Sequence, residues 1–372
     1  MKKTTKYLMI LLGVIAGFGL GILLSVMIDR IPVQSPRAAL LVFIFAFVML
    51  YVFSLAELIL HEAGHLIFGL ATGWRFVSFR IANVIWVRGK DGRVRRAKFS
   101  LAGTAGQCLL APPPWQEDGF PYRLYNLGGV IVNLVTAIVC GLLAILFWSH
   151  PLAALLLIEA ALVGLFMAVT NGIPLPGLAV SNDGSNQLSM MKSRDARRAL
   201  WCQMSVAAAQ AQGQRLRDMP EDWFPSFPEA AMDNPLVASI AVFHANRLMG
   251  ALDLPGAEAA IRALLAREKG VVPLYRALLT MDGAYCELVG GHPGSLTEAL
   301  DTPAVRQIMK AMRRYPSVLR TQYAEALLLR RDMAQADQWL KAFEEAARTY
   351  PYAQEIDEER ELMTRAKEAY AE

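Results

Sequence analysis

One stretch of this 372-residue chain carries hydrolytic chemistry in its spacing: His61-Glu62-Ala63-Gly64-His65. Two histidines four positions apart lie one turn apart on the same helix face, so both imidazoles reach one metal ion. Glu62 stands nearby to take a proton from an attacking water, the general-base role of zinc hydrolysis. The competing reading is coincidence within a helix. Position argues against it, because the motif sits in a long apolar run, where ionisable side chains are costly and mark function. A catalytic zinc needs a third protein ligand and an open position for water. Of the other histidines, His150 falls in the turn Ser149-His150-Pro151, while His244 and His292 belong to the distant half of the chain. An acid beside another apolar run is wanted, and Asn171 to Gly184 supplies one. Pro174, Pro176 and Gly177 break the run there, and broken backbone at membrane depth persists only where protein buries it or it lines a wet cavity. Asp183 is therefore the expected third ligand.

These residues must be positioned by apolar helices. The composition is 55% hydrophobic and 19% charged, which excludes a disordered or collagen-like chain and argues against an ordinary cytosolic globule. Four runs stand out: Tyr7 to about Ile28, Ala39 to about Leu70, Asn126 to Trp148, and Leu152 to Thr170, each long enough to cross a hydrocarbon core of about 30 Å. The first follows Lys2 and Lys3 as a signal peptide would. Its apolar core is too long for one and no small-residue cleavage site precedes Asp29, so it reads as a retained helix. Residues 1–184 hold 14 Lys/Arg against 8 Asp/Glu, and residues 185–372 hold 23 against 25. The cations cluster before the first run and between the second and third. By the positive-inside rule the N-terminus, that loop and the whole C-terminal half are cytoplasmic, in a multi-pass protein of the cell membrane. Cys108, Cys140, Cys202 and Cys286 lie far apart with no C-x-x-C, so disulfides and a cysteine zinc site are not expected.

Three features in order resemble the site-2 protease family of intramembrane zinc metalloproteases. His61–His65 match its H-E-x-x-H; Gly129-Val130-Ile131-Val132-Asn133 looks like its G-x-x-x-N element; Asn171 to Gly184 resembles its third motif, Asn-x-x-Pro-x-Pro…Asp-Gly. The resemblance covers about residues 39–184. It implies a bundle of membrane helices, a Zn2+ ion on His61, His65 and Asp183, and peptide-bond hydrolysis in or near the bilayer. Val130 departs from the Pro that often follows the glycine, and Asn182 from the Leu common before the acid. By the same resemblance Asn133 is a catalytic residue near the scissile peptide, stabilising the oxyanion; an interhelical hydrogen bond is the equal alternative. Glu57, one turn before His61, either accepts a hydrogen bond from that ring's free nitrogen or faces water. Glu159, midway along the fourth run, is expected to face the bundle.

Phe76 to Val87 and Arg93 to Phe99 read as two strands around the turn Gly89-Lys90-Asp91-Gly92, a small hairpin at about 75–100. Site-2 proteases carry a sheet that dips toward the active site, so its edge is expected to hold an extended substrate by strand addition. The alternative is that its basic side chains contact anionic lipid. After Gly184 short helical patterns begin. Ala245, Leu248, Asp253, Ala257, Ile261 and Leu264 recur as Ala324, Leu327, Asp332, Ala336, Leu340 and Phe343, 79 positions on, with Ala284, His292 and Leu296 fitting a middle copy. Each copy reads as helix, turn, helix, resembling tetratricopeptide arrays; a plain helical bundle is the alternative. No phosphate loop, dinucleotide motif or nucleic-acid stripe is present.

The sequence thus predicts a mainly α protein. Residues 1–184 form a four-span membrane zinc peptidase with a β-hairpin, 185–234 a linker and helical lead-in, and 235–372 a cytoplasmic helical-repeat domain. The expected function is a zinc metalloendopeptidase cleaving membrane-anchored peptides or single-span proteins near the cytoplasmic face, with the lipid bilayer and a protein partner of the repeats as further partners. A catalytically silent scaffold is the alternative from another class, although an intact Glu62 argues against it. A CAAX-processing-type zinc protease is a third, expected to use Glu as third ligand from a helix further on.

Overall fold

The second apolar run forms one unbroken helix in the computed structural model, which describes residues 21, 25–26, 28–32, 35–100, 104–117, 119–175 and 181–371. This helix, α1 (Pro36–Ala71), opens at a proline, and the Ser35 hydroxyl accepts from Ala38 N–H at 3.2 Å. Its 36 residues extend about 54 Å at the usual 1.5 Å rise, well beyond a hydrocarbon core. It ends where Gly73 takes φ +88°, open only to a residue without Cβ. The third and fourth runs form α2 (Arg123–Leu146) and α3 (Pro151–Gly172). All three helices are long and apolar enough to cross a membrane. Large apolar side chains such as Leu41, Phe43, Phe47, Leu142 and Phe166 are exposed along them, as lipid-facing positions would be. The first expected span, Tyr7 to about Ile28, lies largely outside the described residues.

The chain divides into two units. One comprises the chain to Phe68 with Arg123–Gly177 and Asn182–Ser185; the other comprises Gly69–Tyr122, Leu178–Ser181 and Asn186–Glu372. In the first, α2 and α3 form an antiparallel hairpin and Ala46 of α1 packs on Leu155 of α3. Glu159 is buried in the bundle, as its polarity requires, and its Oε2 accepts no hydrogen bond among the described residues.

The second unit contains the basic loop, which is a four-stranded antiparallel sheet rather than a two-stranded hairpin: β1 (Arg75–Ile81), β2 (Val84–Arg88), β3 (Val94–Lys98) and β4 (Gly106–Ala111), in the order β3-β2-β1-β4. The single strand expected from Phe76 to Val87 folds back at Ala82 (φ 51°) and Asn83, pairing Phe79 with Trp86 and Ile81 with Val84. The turn at Gly89–Gly92 stands where expected, between β2 and β3. Arg80 does not serve as a free surface cation. It is buried, donating to the Ala82 carbonyl at 2.8 Å, the Thr104 hydroxyl at 2.5 Å and the Gly106 carbonyl at 3.0 Å, and so ties β1 to the start of β4.

The sheet falls in the same unit as the helices that follow residue 185. After α4 (Asp183–Lys192) comes α5 (Arg194–Ala211), which packs on β4, and Trp201 donates to the Pro113 carbonyl at 2.8 Å. Phe99 meets the rings of Tyr350 and Tyr352 at 5.8 and 5.7 Å. Beyond α5 the chain forms α6 (Pro235–Gly250), α7 (Leu254–Leu265), α8 (Pro273–Val289), α9 (Ser295–Ala299), α10 (Pro303–Ala311), α11 (Pro316–Ala324), α12 (Met333–Ala347) and α13 (Ala353–Ala371). Three helix pairs turn alike: Leu252, Gly291 and Arg331 each take positive φ (61°, 73° and 52°). Asp253 and Asp332 cap the helices that follow, accepting from Gly256 N–H at 3.0 Å and Gln335 N–H at 2.9 Å. In the middle pair Glu287 reaches across from α8 and accepts from the Gly294, Leu296 and Thr297 amides and the Thr297 hydroxyl. Burial raises its pKa, but those four donors outweigh it and hold the carboxyl down to about 2. The matched Ala245, Ala257, Ile261, Ala324, Leu327, Ala336 and Phe343 are buried; Leu340, 39% exposed, is the exception.

Candidate metal centre

α1 and α2 cross at glycines. A Cβ on Gly64 would overlap the Gly128 carbonyl, and one on Gly128 would overlap the Gly64 carbonyl, so the two backbones touch there. One residue on, a Cβ at Gly129 would lie 2.5 Å from Cε1 of the His61 ring. The ring occupies the space that Gly129 leaves. Asn133, one turn further along the same face of α2, meets the ring from behind, with His61 Nδ1 2.6 Å from Asn133 Oδ1.

The protons follow from partners that can only accept. Asn133 Nδ2 lies 3.0 Å from the Glu57 carbonyl oxygen and 2.7 Å from Glu57 Oε2, so this end of the amide is the NH2 group and Oδ1 is the acceptor. His61 therefore carries its proton on Nδ1 and donates it to Asn133. His65 Nδ1 lies 2.7 Å from the Tyr125 carbonyl and must likewise be the donor. Both Nε2 atoms are left with lone pairs, and both point at the same place. They lie 3.2 Å apart, and Asp183 Oδ2 lies 3.1 Å from His61 Nε2 and 3.4 Å from His65 Nε2. Asp183 Oδ2 is buried, and apart from these two nitrogens it has no partner among the described residues.

Such a donor set matches a cation. Ligand arms of about 2.0–2.1 Å around a tetrahedral ion place neighbouring ligand atoms about 3.3 Å apart. The observed edges of 3.1, 3.2 and 3.4 Å form one face of that tetrahedron and leave its fourth corner to a water or substrate oxygen. Among the described residues, His61, His65 and Asp183 are the one group of three or more His, Cys, Asp or Glu gathered closely enough to hold a metal ion.

Asp183 arrives by capping. It opens α4, and Asn182 before it accepts from Ser185 N–H at 3.0 Å while donating to the carbonyls of Thr170 at 2.8 Å and Ile173 at 2.7 Å. Asn126 of α2 holds the Asp183 carbonyl at 2.8 Å. Asn182 thus ties the end of α3 to Asp183; residues 176–180 between them lie outside the described residues. Glu62, the expected base, is buried.

Two expectations change. Asn133 is fully buried and both its amide hydrogens are given to Glu57, so it has none for an oxyanion; its place is behind His61. Glu57 does not meet His61 directly but through Asn133. The one-turn spacings Glu57/His61 and Gly129/Asn133 were the available signals for this relay, and only the crossing of α1 and α2 brings them together. Comparison of the chain with models of protein families, with curated proteins and with solved structures finds no match to any of them.

Proposed function

We propose that the protein is an intramembrane zinc metalloendopeptidase of the site-2 protease kind, a multi-pass protein of the cell membrane with its N-terminus and C-terminal helices in the cytoplasm. One observation carries the reading: two imidazole nitrogens, on a helix apolar enough to span a bilayer, and a buried carboxylate oxygen converge to within 3.1–3.4 Å of one another. Neutral imidazoles with a single carboxylate suit zinc. When bound, zinc polarises the scissile carbonyl and acidifies the attacking water. The remaining work is done by the chain. His61 and His65 hold the metal through Nε2 because Asn133 and the Tyr125 carbonyl keep their protons on Nδ1. Glu62 accepts the water's proton and delivers it to the leaving amine. Asp183, fixed by Asn182 and Asn126, completes the ligand set. The substrate is a membrane-anchored peptide or single-span protein. It adds as a strand at β3 or β4, the two edges of the sheet; β2, with Val84 and Ile85, is an inner strand. The helix pairs of the second unit, which resemble tetratricopeptide repeats, recruit a protein partner.

The test joins metal content to cleavage of a co-expressed, tagged membrane substrate. The wild type should hold one zinc per chain, His61→Ala should lose it, and Glu62→Gln should keep it while losing cleavage. A wild type without zinc, or a cleaving Glu62→Gln variant, refutes the reading in favour of a scaffold.

A further inference from the structure

Between Arg75 and Lys98 the chain holds eight cations and a single acid, Asp91, which is already paired with Arg95 at 2.8 Å. The strand register sorts these cations by face. Trp86 pairs with Arg96, Arg88 with Val94 and Val84 with Lys98, and cross-strand partners share a face of the sheet. Phe79 joins them through its pairing with Trp86, the ring centroids 6.4 Å apart. The opposite face carries Ser78, Arg80, Ile85 and Val87, all buried. The first face is open toward the β3 edge: Trp86 is 38% exposed, Val94 is 53% exposed, and Arg88, Arg96 and Lys98 are exposed around them. It has no acid. A tryptophan and an aliphatic side chain set among three cations with no ion-pair partner among the described residues is the composition that anchors protein at the headgroup level of an anionic leaflet.

Chain geometry supplies the same surface. Only Thr72, Gly73 and Trp74 separate the end of α1 at Ala71 from β1 at Arg75, a reach of about 10–14 Å even when fully extended. This short link is the covalent tether between α1 and the sheet.

We propose that the β2–β3 face formed by Trp86, Arg88, Val94, Arg96 and Lys98 is a docking surface for the anionic phospholipid leaflet in which α1 is embedded. The face fixes the height of the sheet at the membrane. The inference needs α1 in a bilayer and does not depend on hydrolysis.

The test uses the full-length protein in nanodiscs of phosphatidylcholine alone or of phosphatidylcholine mixed with phosphatidylglycerol. The rate of amine acetylation at Lys98 is compared with that at Lys341, an exposed lysine of α12. Anionic lipid should slow labelling of Lys98 about fivefold, the factor that one surface cation is worth near such a leaflet. Lys341 should be unchanged. Salt near 1 M, where the Debye length is about 3 Å, should restore the rate. An Arg88→Glu/Arg96→Glu variant should label Lys98 equally in both lipids, and the wild-type comparison stands alone if that variant fails to fold. Equal Lys98 rates in the two lipids, or equal slowing at Lys98 and Lys341, overturns the proposal, as does protection that appears only in native membranes, which assigns the face to a protein partner.

Discussion

Replacing Asn133 with alanine separates two roles for this side chain. Asn133 is fully buried and links three groups: the His61 Nδ1 proton at 2.6 Å, the Glu57 carbonyl at 3.0 Å and Glu57 Oε2 at 2.7 Å. Without it, His61 keeps its proton but loses the acceptor that fixes ring orientation and raises basicity at Nε2. Loss of such an outer partner lowers metal affinity about 10–100-fold, or about 1.4–2.7 kcal/mol. A second cost falls on the fold, because the buried Glu57 carboxylate loses a donor at about 1–3 kcal/mol, while the Glu57 carbonyl keeps its partner within the helix. The assay is a zinc competition titration against a fluorescent chelator on the detergent-solubilised full chain, alongside cleavage at saturating zinc. Positioning predicts weakened zinc binding with cleavage largely recovered once the site is filled. If zinc affinity is that of the wild type while cleavage is lost at saturation, Asn133 acts on the substrate and the relay argument is wrong.

Gly129→Ala should abolish zinc binding, because the new methyl would sit 2.5 Å from the His61 ring; metal analysis of the purified variant checks this, and an unchanged zinc content would show that the helices can separate there. Glu57→Gln keeps an acceptor for the Asn133 amide and should change zinc affinity by no more than about threefold, whereas Glu57→Leu should approach the Asn133→Ala loss; the same titration reads both. In the second unit, burial pushes the Glu355 and Glu358 carboxyls from the ordinary 4.5 up to about 7. Between those values the folded chain holds protons that the unfolded chain has released. The stability they supply is complete below about pH 4.5 and is lost as pH rises through about 7. Thermal unfolding followed by near-UV circular dichroism should give a lower Tm at about pH 8 than at about pH 5, and Glu355→Gln should flatten that slope.

The apolar helices were legible because length and hydrophobicity alone define them. Pro36 and the run from Ala39 mark α1, and the turn at Ser149–Pro151 separates α2 from α3. The sheet was half legible. Gly89–Gly92 announces a turn, but the β1–β2 reversal falls on Ala82 and Asn83, and an alanine at φ 51° is chosen by strand pairing rather than by its own preference. β4 was missed because Gly106–Ala111 is short and pairs with β1 across an intervening strand pair, a long-range choice without a local signature. The 79-residue offset in the C-terminal half marked real structure, since Leu252 and Arg331 turn alike and Asp253 and Asp332 cap alike. The middle pair was blurred because its cap comes from Glu287 on the preceding helix instead of from the turn.

The convergence of His61, His65 and Asp183 was legible in part and its support was not, and the reason is geometric. His61 and His65 share a face through a spacing of four, which any helix honours. What Asn133 does depends on how near α2 comes to α1, and that is decided by the absence of side chains at Gly64, Gly128 and Gly129. With an ordinary side chain at the crossing, helix axes stand 8–10 Å apart. At glycine contact the separation shrinks until an asparagine one turn away reaches an imidazole on the other helix. In the G-x-x-x-N element the glycine seats the His61 ring, and the asparagine, held by Glu57 so that only oxygen faces the ring, leaves Nε2 as the nitrogen that faces Asp183. In a neutral imidazole the tautomer follows from the partner that the other ring nitrogen meets. The choice must be built from acceptors, and here one is a side chain fixed by Glu57 and the other a backbone carbonyl, that of Tyr125, which no substitution at that position removes.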